Sequence, residues 1–118
     1  MVAALQACAT GPDADKVTAA CEALNNFADQ DNKAALVADG ALPALLAARR
    51  AHAGHAGVNE YFLGALYAIT AAAGPQRAHT KAAVEACGAL AVARALMQQF
   101  PADSHIQDYG KWLLAEFA

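Results

Sequence analysis

The sequence has few of the residues that build β-strands, since Val, Ile and Thr together number 12 of 118. These β-branched residues are enriched in strands, so neither an all-β fold nor a doubly wound α/β fold is expected. Basic residues are also few, eight against eleven acidic ones, for a net charge of −3. Nucleic-acid-binding proteins need a basic surface that neutralises phosphates. We therefore expect no nucleic-acid partner.

Long apolar runs are missing as well. No stretch approaches the ~18 consecutive apolar residues of a membrane-spanning helix, so no membrane span is expected. Residues 2–9 are apolar and contain an Ala-Cys-Ala that superficially matches a signal-peptidase site, but the first basic residue is Lys16. Because the basic region of a leader peptide is absent, a short helix is the better interpretation. We expect an intracellular protein, most simply a cytoplasmic one, with an organelle interior as the alternative.

Residue types that carry catalysis or metal binding are sparse. The chain has one serine, Ser104, and three cysteines, Cys8, Cys21 and Cys87, with no pair at the Cys-x-x-Cys spacing typical of zinc sites. Each cysteine lies among alanines on a helical pattern, which predicts small buried hydrophobic side chains. We therefore expect no metal, no cofactor and no enzymatic activity. A small helical enzyme that pairs Cys21 or Cys87 with a histidine is the remote alternative.

Alanine dominates what is present, with 35 of 118 residues, and it heads the scale of helix propensity. Internal similarity is the second feature. The segment KAALVADGAL at 33–42 returns as KAAVEACGAL at 81–90, with seven of ten positions identical at an offset of 48. A second element recurs around Leu24, Leu66 and Leu114, at spacings of 42 and 48. Such periods indicate an all-α chain of helical repeats of about 40–47 residues each.

Capping signals divide the chain into helices. Asp13 and Asp31 have the character of N-caps, and Ser104 with a glutamine three residues later forms a capping box. Gly40 and Gly88 follow the two Lys-Ala-Ala segments, where a glycine with positive φ ends a helix. The predicted helices are 2–9, 13–29, 31–39, 42–53, 57–73, 77–87, 89–100 and 103–117.

Two segments resemble the armadillo-repeat family. Residues 32–46 (NKAALVADGALPALL) follow its order of Asn-basic, an aliphatic pair, an acidic-Gly stop and an aliphatic-Pro-x-Leu helix. Residues 106–118 (IQDYGKWLLAEFA) are similar to the third helix of such a repeat. The resemblance covers almost the whole chain and implies one domain, 1–118, folded as a right-handed α-solenoid of about two and a half three-helix repeats. Since so short a stack is marginal, the domain is expected either to bind a partner or to be a fragment of, or a unit within, a larger array.

Each predicted third helix carries one apolar stripe, with steps of three and four residues that place its members on a single helical face. We expect these stripes to form the core. They comprise Val17, Cys21, Leu24 and Ala28; Val58, Phe62, Leu66 and Ile69; and Ile106, Gly110, Leu113 and Phe117.

The other face of the third helices is where armadillo proteins bind extended peptides, so the resemblance implies a concave recognition surface. The positions that match the family's Trp and Asn ladder are Glu22 and Asn26, Gly64 and Ala68, and Trp112 and Glu116. Only Asn26 and Trp112 keep the family's residue type, so basic nuclear-targeting peptides are not the expected ligand. The predicted partner-binding face is completed by Thr18, Glu60, Tyr61, Asp108 and Tyr109.

The resemblance and the surface pattern together predict a non-enzymatic module for protein–protein interaction or complex assembly, with a protein or peptide partner. Leu113, Leu114 and Phe117 lie in the last turns of the final helix, where no polar capping helix follows in the sequence. Solenoids need polar ends, so this end is predicted as a second contact, for self-association or for a larger assembly. The alternative is a purely structural subunit of a complex that recognises no peptide.

Overall fold

The structure is a computed structural model that describes residues 2–27, 33–71 and 76–117. Of these residues, 81% lie in helices and none lies in a strand, so the prediction of an all-α chain is confirmed. The helices are α1 (Val2–Cys8), α2 (Ala14–Phe27), α3 (Lys33–Ala38), α4 (Ala41–Ala51), α5 (Ala56–Thr70), α6 (Gln76–Ala86), α7 (Ala89–Gln99) and α8 (Ser104–Ala115).

Helix α5 lies at the centre of the fold and packs against α2, α4, α6 and α8. Among the other helices, α1 packs on α2 and α4, α3 packs on α6, and α7 packs on α8. The molecule measures 37 × 30 × 22 Å along its principal axes. Within the described ranges, none of the helices has the length and apolar character needed to cross a bilayer.

The predicted apolar stripes form part of the core, which also contains fully buried residues outside them such as Leu5, Leu45 and Leu96. The stripes of α2 and α5 are fully buried at every described position, and Ala28 lies outside the described residues. In α8, Ile106, Gly110 and Leu113 are buried, whereas Phe117, which lies just beyond the end of the helix, is half-buried. Each large aliphatic or aromatic side chain that is fully buried contributes about 1.5–3 kcal/mol to folding. Because alanine fills many of the positions between them, these few side chains supply most of the apolar stabilisation.

Gly40 and Gly88 have φ of 93° and 81°, and they are the positive-φ residues of the described chain. Each follows one helix, α3 or α6, and directly precedes the next one, α4 in the first case and α7 in the second. A left-handed conformation is readily adopted by glycine and strained for residues with a Cβ atom. The prediction that these two glycines end helices with positive φ is confirmed.

The predicted capping box at Ser104 is wrong. The N-cap of α8 is Asp103, whose Oδ1 accepts a hydrogen bond of 3.1 Å from the Ile106 amide. The Gln107 side chain turns away from the helix start and donates to the carbonyl oxygens of Met97 and Phe100, at 2.8 and 3.1 Å. Asp103 and Ser104 are adjacent, and both residue types favour the N-cap position. The sequence alone therefore did not distinguish which of the two caps α8.

Helix α2 begins as predicted, because Oδ1 of Asp13 accepts hydrogen bonds from the amides of Asp15 and Lys16 at 3.1 and 3.2 Å. The predicted cap at Asp31 falls outside the described residues.

The turn between α4 and α5 is held by Asn59, a fully buried polar residue. Its Nδ2 donates to the carbonyl oxygens of His52, Ala53 and His55 at 3.3, 3.1 and 2.9 Å. At the same turn, Nδ1 of His55 accepts from the Val58 amide at 3.1 Å and caps α5. One side-chain amide thus bonds three carbonyl groups of the turn, in addition to the backbone hydrogen bonds that His52 and His55 accept from the amides of His55 and Asn59.

Candidate functional site

An exposed aromatic residue marks the surface of α8. Trp112 has 51% of its surface exposed. Among the described residues, it is the large hydrophobic side chain that is most accessible to solvent. Its ring centroid lies 5.8 Å from that of Tyr67 on α5 and 5.6 Å from that of Tyr109 on α8, the latter in an edge-to-face arrangement. We call Tyr67, Tyr109 and Trp112 the aromatic cluster. Such ring pairs stabilise one another beyond their buried area, so the cluster presents a pre-formed surface.

Tyr109 of the aromatic cluster packs against Gly64, a residue without a side chain. A Cβ atom placed on Gly64 of α5 would lie 3.3 Å from Cζ of Tyr109 and 3.2 Å from Nδ2 of Asn25 on α2. Helices α2 and α8 therefore both bring side chains to the bare main chain of α5. This close approach is available at Gly64 because glycine has no Cβ atom.

A small cavity of about 110 Å³ adjoins the cluster. It is lined by Glu60 and Tyr61 of α5 and by His105 and Tyr109 of α8. Tyr109 is shared between the cavity and the aromatic cluster. The two features therefore form one continuous surface across α5 and α8, with a carboxyl group at one end and an indole ring at the other.

Glu60 forms a hydrogen-bonded pair with Asp103. Partial burial, followed by the hydrogen bond and the negative charge of Asp103, raises the pKa of Glu60, while the positive charge of His105 opposes the rise. Partial burial also pushes the pKa of Asp103 upward, but hydrogen bonds from Glu60 and from the backbone amides of Ile106 and His105 outweigh it, so that pKa is lowered. Of the two carboxyl groups, Glu60 therefore has the raised pKa and Asp103, which caps α8, has the lowered one.

The structure brings five of the predicted face residues together: Glu60, Tyr61, Gly64, Tyr109 and Trp112. On α2, the residue that approaches Gly64 is Asn25, which was not among the predicted face residues. Asn26, Glu22 and Asp108 are exposed.

Two further predicted positions are occupied by contacts within the chain. Thr18 is half-buried and its hydroxyl donates to the Ala14 carbonyl oxygen at 2.8 Å, within α2 itself. The Glu116 carboxylate forms an ion pair with Arg77 of α6, with 2.7 Å between its Oε2 and the Nη2 of Arg77. Glu116 therefore ties α8 to α6.

The predicted end contact needs a correction at Leu113, which is fully buried in the core and offers no surface to a partner. Leu113 lies on the same face of α8 as Ile106 and Gly110, and this face is buried against the core. Leu114 and Phe117 are half-buried. The Phe117 ring lies 5.2 Å from Nζ of Lys81, a cation–π contact with α6.

The cysteines lie apart from this surface. Cys21 is fully buried, and burial, followed by the proximity of Cys8, raises the pKa of its thiol to about 12. A thiol with this pKa is protonated at neutral pH and is a poor nucleophile. The half-buried Cys87 donates to the Val84 carbonyl oxygen at 3.1 Å. Across the ranges that the structure describes, no cluster of three or more His, Cys, Asp or Glu side chains is arranged to hold a metal ion.

Four residues of the surface were missed from the sequence, namely Asn25, Tyr67, Asp103 and His105. Tyr67 and His105 each lie three or four residues from a predicted member of the face, Tyr67 from Gly64 and His105 from Tyr109. Helical spacing was therefore the available signal for both.

Comparisons with protein-family models, with curated proteins and with solved structures give no match to this chain. The likeness to armadillo repeats therefore rests on the residues quoted above. The function of the chain is inferred from the chemistry of its own surface.

Proposed function

We propose that this chain is a non-enzymatic protein-interaction module of armadillo-like helical repeats, which binds an extended segment of a partner protein across α5 and α8. The observation that carries the proposal is the aromatic cluster around the half-exposed Trp112. Tryptophan and tyrosine are enriched among the residues that dominate binding energy at protein interfaces. An amphipathic ring in a fixed position also loses little conformational entropy when a partner covers it.

The packing of the helices supports the repeat architecture. In the predicted repeats, α2, α5 and α8 are the third helices, and α2 packs on α5 as α5 packs on α8. Among the other equivalent positions, α1 packs on α4 and α3 packs on α6, whereas α4 and α7 make little or no contact. Contact between equivalent helices of successive units is the expected packing of a helical stack, in which each unit contacts its neighbours.

The dimensions of the surface favour a protein partner over a small-molecule substrate. The cavity of about 110 Å³ is well below the roughly 300–1,000 Å³ of pockets that enclose drug-sized ligands. It can hold one side chain. The aromatic cluster beside it extends the contact along α8, as a bound segment of polypeptide requires.

The second candidate is a structural subunit that docks through the end of α8 and recognises no peptide. The half-buried Leu114 favours this reading, because it adds apolar surface near that end. The two candidates use different residues, Trp112 for the face and Leu114 for the end, so single substitutions separate them.

The test is selection of binders from a phage-displayed library of random peptides, with the whole chain immobilised. Trp112→Ala is expected to weaken the selected peptides by about tenfold or more, the usual effect of removing a dominant interface side chain. Leu114→Glu is the matched control and should leave their affinity unchanged. Circular dichroism establishes that both variants keep the helical content of the parent.

Two results would decide against recognition through the face. One is the absence of any selected peptide whose affinity depends on Trp112. The other is a parent chain that self-associates in sedimentation equilibrium and becomes monomeric in the Leu114→Glu variant but not in the Trp112→Ala variant.

A further inference from the structure

We propose that Met97 of α7 is an oxidation site, at which hydrogen peroxide converts the thioether to a sulfoxide and thereby loosens the packing of α8 on α7. The basis is the position of the Met97 sulfur, which lies against the main chain of Gly110 on α8. Met97 belongs neither to the aromatic cluster nor to the residues that line the cavity. The modification and its structural effect are therefore independent of the proposed function.

The Met97 side chain occupies the space that a side chain on Gly110 would need. A Cβ atom placed on Gly110 would lie 2.5 Å from Sδ and 2.7 Å from Cγ of Met97, far inside the roughly 3.5–4.0 Å of an optimal contact between heavy atoms. Gly110 is buried and Met97 is half-buried. The sulfur is thus a contact atom between α7 and α8, and this contact exists because Gly110 has no Cβ atom.

Hydrogen bonds hold α7 and α8 together at the same place. The Gln107 side chain on α8 donates from Nε2 to the carbonyl oxygens of Met97 and Phe100, at 2.8 and 3.1 Å. These bonds fix the main chain of Met97 relative to α8, so the two helices do not slide past each other to make room. Protein interiors are close-packed and contain few voids. A larger group on the Met97 sulfur must therefore leave its place or push α8 away.

The oxidation converts an apolar contact into a polar one. The sulfur attacks one oxygen of hydrogen peroxide and forms an S–O bond, the O–O bond breaks, and the second oxygen takes the remaining proton and leaves as water. The sulfur loses two electrons and the peroxide gains them. The sulfoxide oxygen is a hydrogen-bond acceptor, and burial of such a group without a donor is unfavourable. The Gln107 amide, which lies beside the Met97 carbonyl group, already bonds two carbonyl oxygens. The oxidised side chain therefore favours solvent over the contact with Gly110.

The Met97 thioether is accessible and needs no activation. The side chain is half-buried, so part of its surface is open to a molecule as small as hydrogen peroxide, and a thioether reacts without losing a proton. A cysteine, in contrast, reacts as the thiolate. Cys21 is fully buried, and burial, followed by the proximity of Cys8, raises the pKa of its thiol to about 12. Near neutral pH, Met97 is therefore oxidised in preference to Cys21.

The contact reaches the aromatic cluster through α8. Gly110 directly follows Tyr109 and comes two residues before Trp112, so a displacement of α8 at Gly110 also displaces both rings. Trp112 is the single tryptophan of the chain, and its fluorescence therefore reports the displacement. Oxidation would also weaken the binding of a partner to this face, a consequence that rests on the proposed function.

The experiment treats the whole chain with hydrogen peroxide and then with dithiothreitol, which reverses disulfides and sulfenic acids but not methionine sulfoxide. Peptide mapping by mass spectrometry is expected to find one added oxygen on Met97. The oxidised chain should melt at least about 3 °C lower and show a shifted Trp112 emission maximum. Methionine sulfoxide reductases should reverse both changes. Met97→Leu keeps an apolar side chain of similar volume and is the matched control, whose melting and fluorescence peroxide should leave unchanged.

Gly110→Ala tests the contact itself. Its Cβ atom would displace the Met97 side chain, so the substitution should lower the melting temperature of the parent more than that of a Met97→Ala variant. Equal effects in the two backgrounds would contradict the contact on which the inference rests.

Absence of added oxygen on Met97, under conditions that oxidise free N-acetylmethionine, would overturn the inference. A sulfoxide at Met97 that leaves the melting temperature and the Trp112 emission unchanged would also overturn it, as would equal effects of peroxide on the parent and on Met97→Leu. None of these measurements uses a partner. Failure to select any Trp112-dependent peptide therefore counts against the proposed function alone, whereas insensitivity of the parent to peroxide counts against the oxidation site alone.

Discussion

The ring of Tyr109 lies against the main chain of Gly64, so that a Cβ atom on this glycine would be 3.3 Å from the Cζ atom of the ring. From the other side, Nδ2 of Asn25 approaches the same point to 3.2 Å. One residue without a side chain thus sets how closely α2 and α8 approach α5. It also places Tyr109 where the ring meets both the cavity and Trp112.

Gly64→Val should destabilise the chain by about 1–3 kcal/mol, the usual cost of adding methyl groups to a packed site. Helix propensity alone would predict the opposite effect, because valine has a higher intrinsic helix propensity than glycine. A loss of stability therefore reports the close packing at Gly64. Ala68→Val adds two methyl groups at a half-buried position one turn further along α5 and should cost no more than about 0.7 kcal/mol. Urea denaturation followed by circular dichroism measures both. Equal stability losses in the two variants would contradict the close approach at Gly64.

Gly88→Val should destabilise the chain by more than ~1 kcal/mol, because a β-branched residue resists a φ of 81°. Space is not the cause, since a Cβ atom on Gly88 would meet nothing within 4 Å. Gly54 is the matched control: a Cβ atom there also meets nothing within 4 Å, and its φ is not positive. Thermal unfolding of Gly88→Val and Gly54→Val therefore isolates the backbone effect, and a Gly54→Val variant destabilised as much as Gly88→Val would refute it.

Glu60→Gln should stabilise the chain relative to the parent, and increasingly so as the pH rises. The pKa of Glu60 is raised above its ordinary value of 4.5, so its neutral form contributes stability at low pH that is lost as the pH rises through the raised pKa. A glutamine keeps a neutral hydrogen-bond donor beside Asp103 at every pH. The lowered pKa of Asp103 acts in the opposite direction, with stability lost as the pH falls through it, but both proteins share this contribution.

Thermal melts of the parent and of Glu60→Gln at pH 4 and pH 8 test this prediction. At pH 8 the melting temperature of Glu60→Gln should exceed that of the parent by about 1–3 °C, since solvent screens a partly exposed pair to a few tenths of a kcal/mol. At pH 4 the difference should shrink toward zero. A difference that is independent of pH would contradict the raised pKa of Glu60.

Asn59→Asp should destabilise the chain by roughly 3 kcal/mol or more at neutral pH. The change is almost isosteric, but it replaces a donor to three carbonyl oxygens with a buried carboxylate that those oxygens repel. Asn26→Asp makes the same chemical change at an exposed position of α2 and should cost less than about 0.5 kcal/mol. Chemical denaturation of the two variants tests the role of Asn59 at the α4–α5 turn.

The helices were predictable because each carries its own local signals. The apolar stripe of α5 predicts which face of this helix is buried. Its members are all fully buried: Val58, Phe62, Leu66 and Ile69. Gly40 and Gly88 mark turns whose conformation depends on the glycine itself. Such signals act over a few residues and need no knowledge of the rest of the chain.

The functional surface was less predictable because it depends on the register between helices. A sequence pattern places Asn25 and Asn26 on adjacent faces of α2, but only the packing angle of α2 on α5 selects Asn25 as the neighbour of Gly64. The pairing of Glu60 with Asp103 likewise joins two elements distant in sequence. The burial of Leu113, in contrast, was predictable from the sequence, because Leu113 belongs to the apolar stripe of α8.

The two left-handed glycines have a consequence for engineering. Residues 41–88 begin directly after Gly40 and end on Gly88, and in both places an alanine follows and starts the next helix. A tandem copy of this 48-residue cassette, inserted after Gly88, would join Gly88 to Ala41 and recreate a junction of the native type. Each of the two junctions in the lengthened chain would therefore keep the glycine–alanine step that precedes α4 and α7.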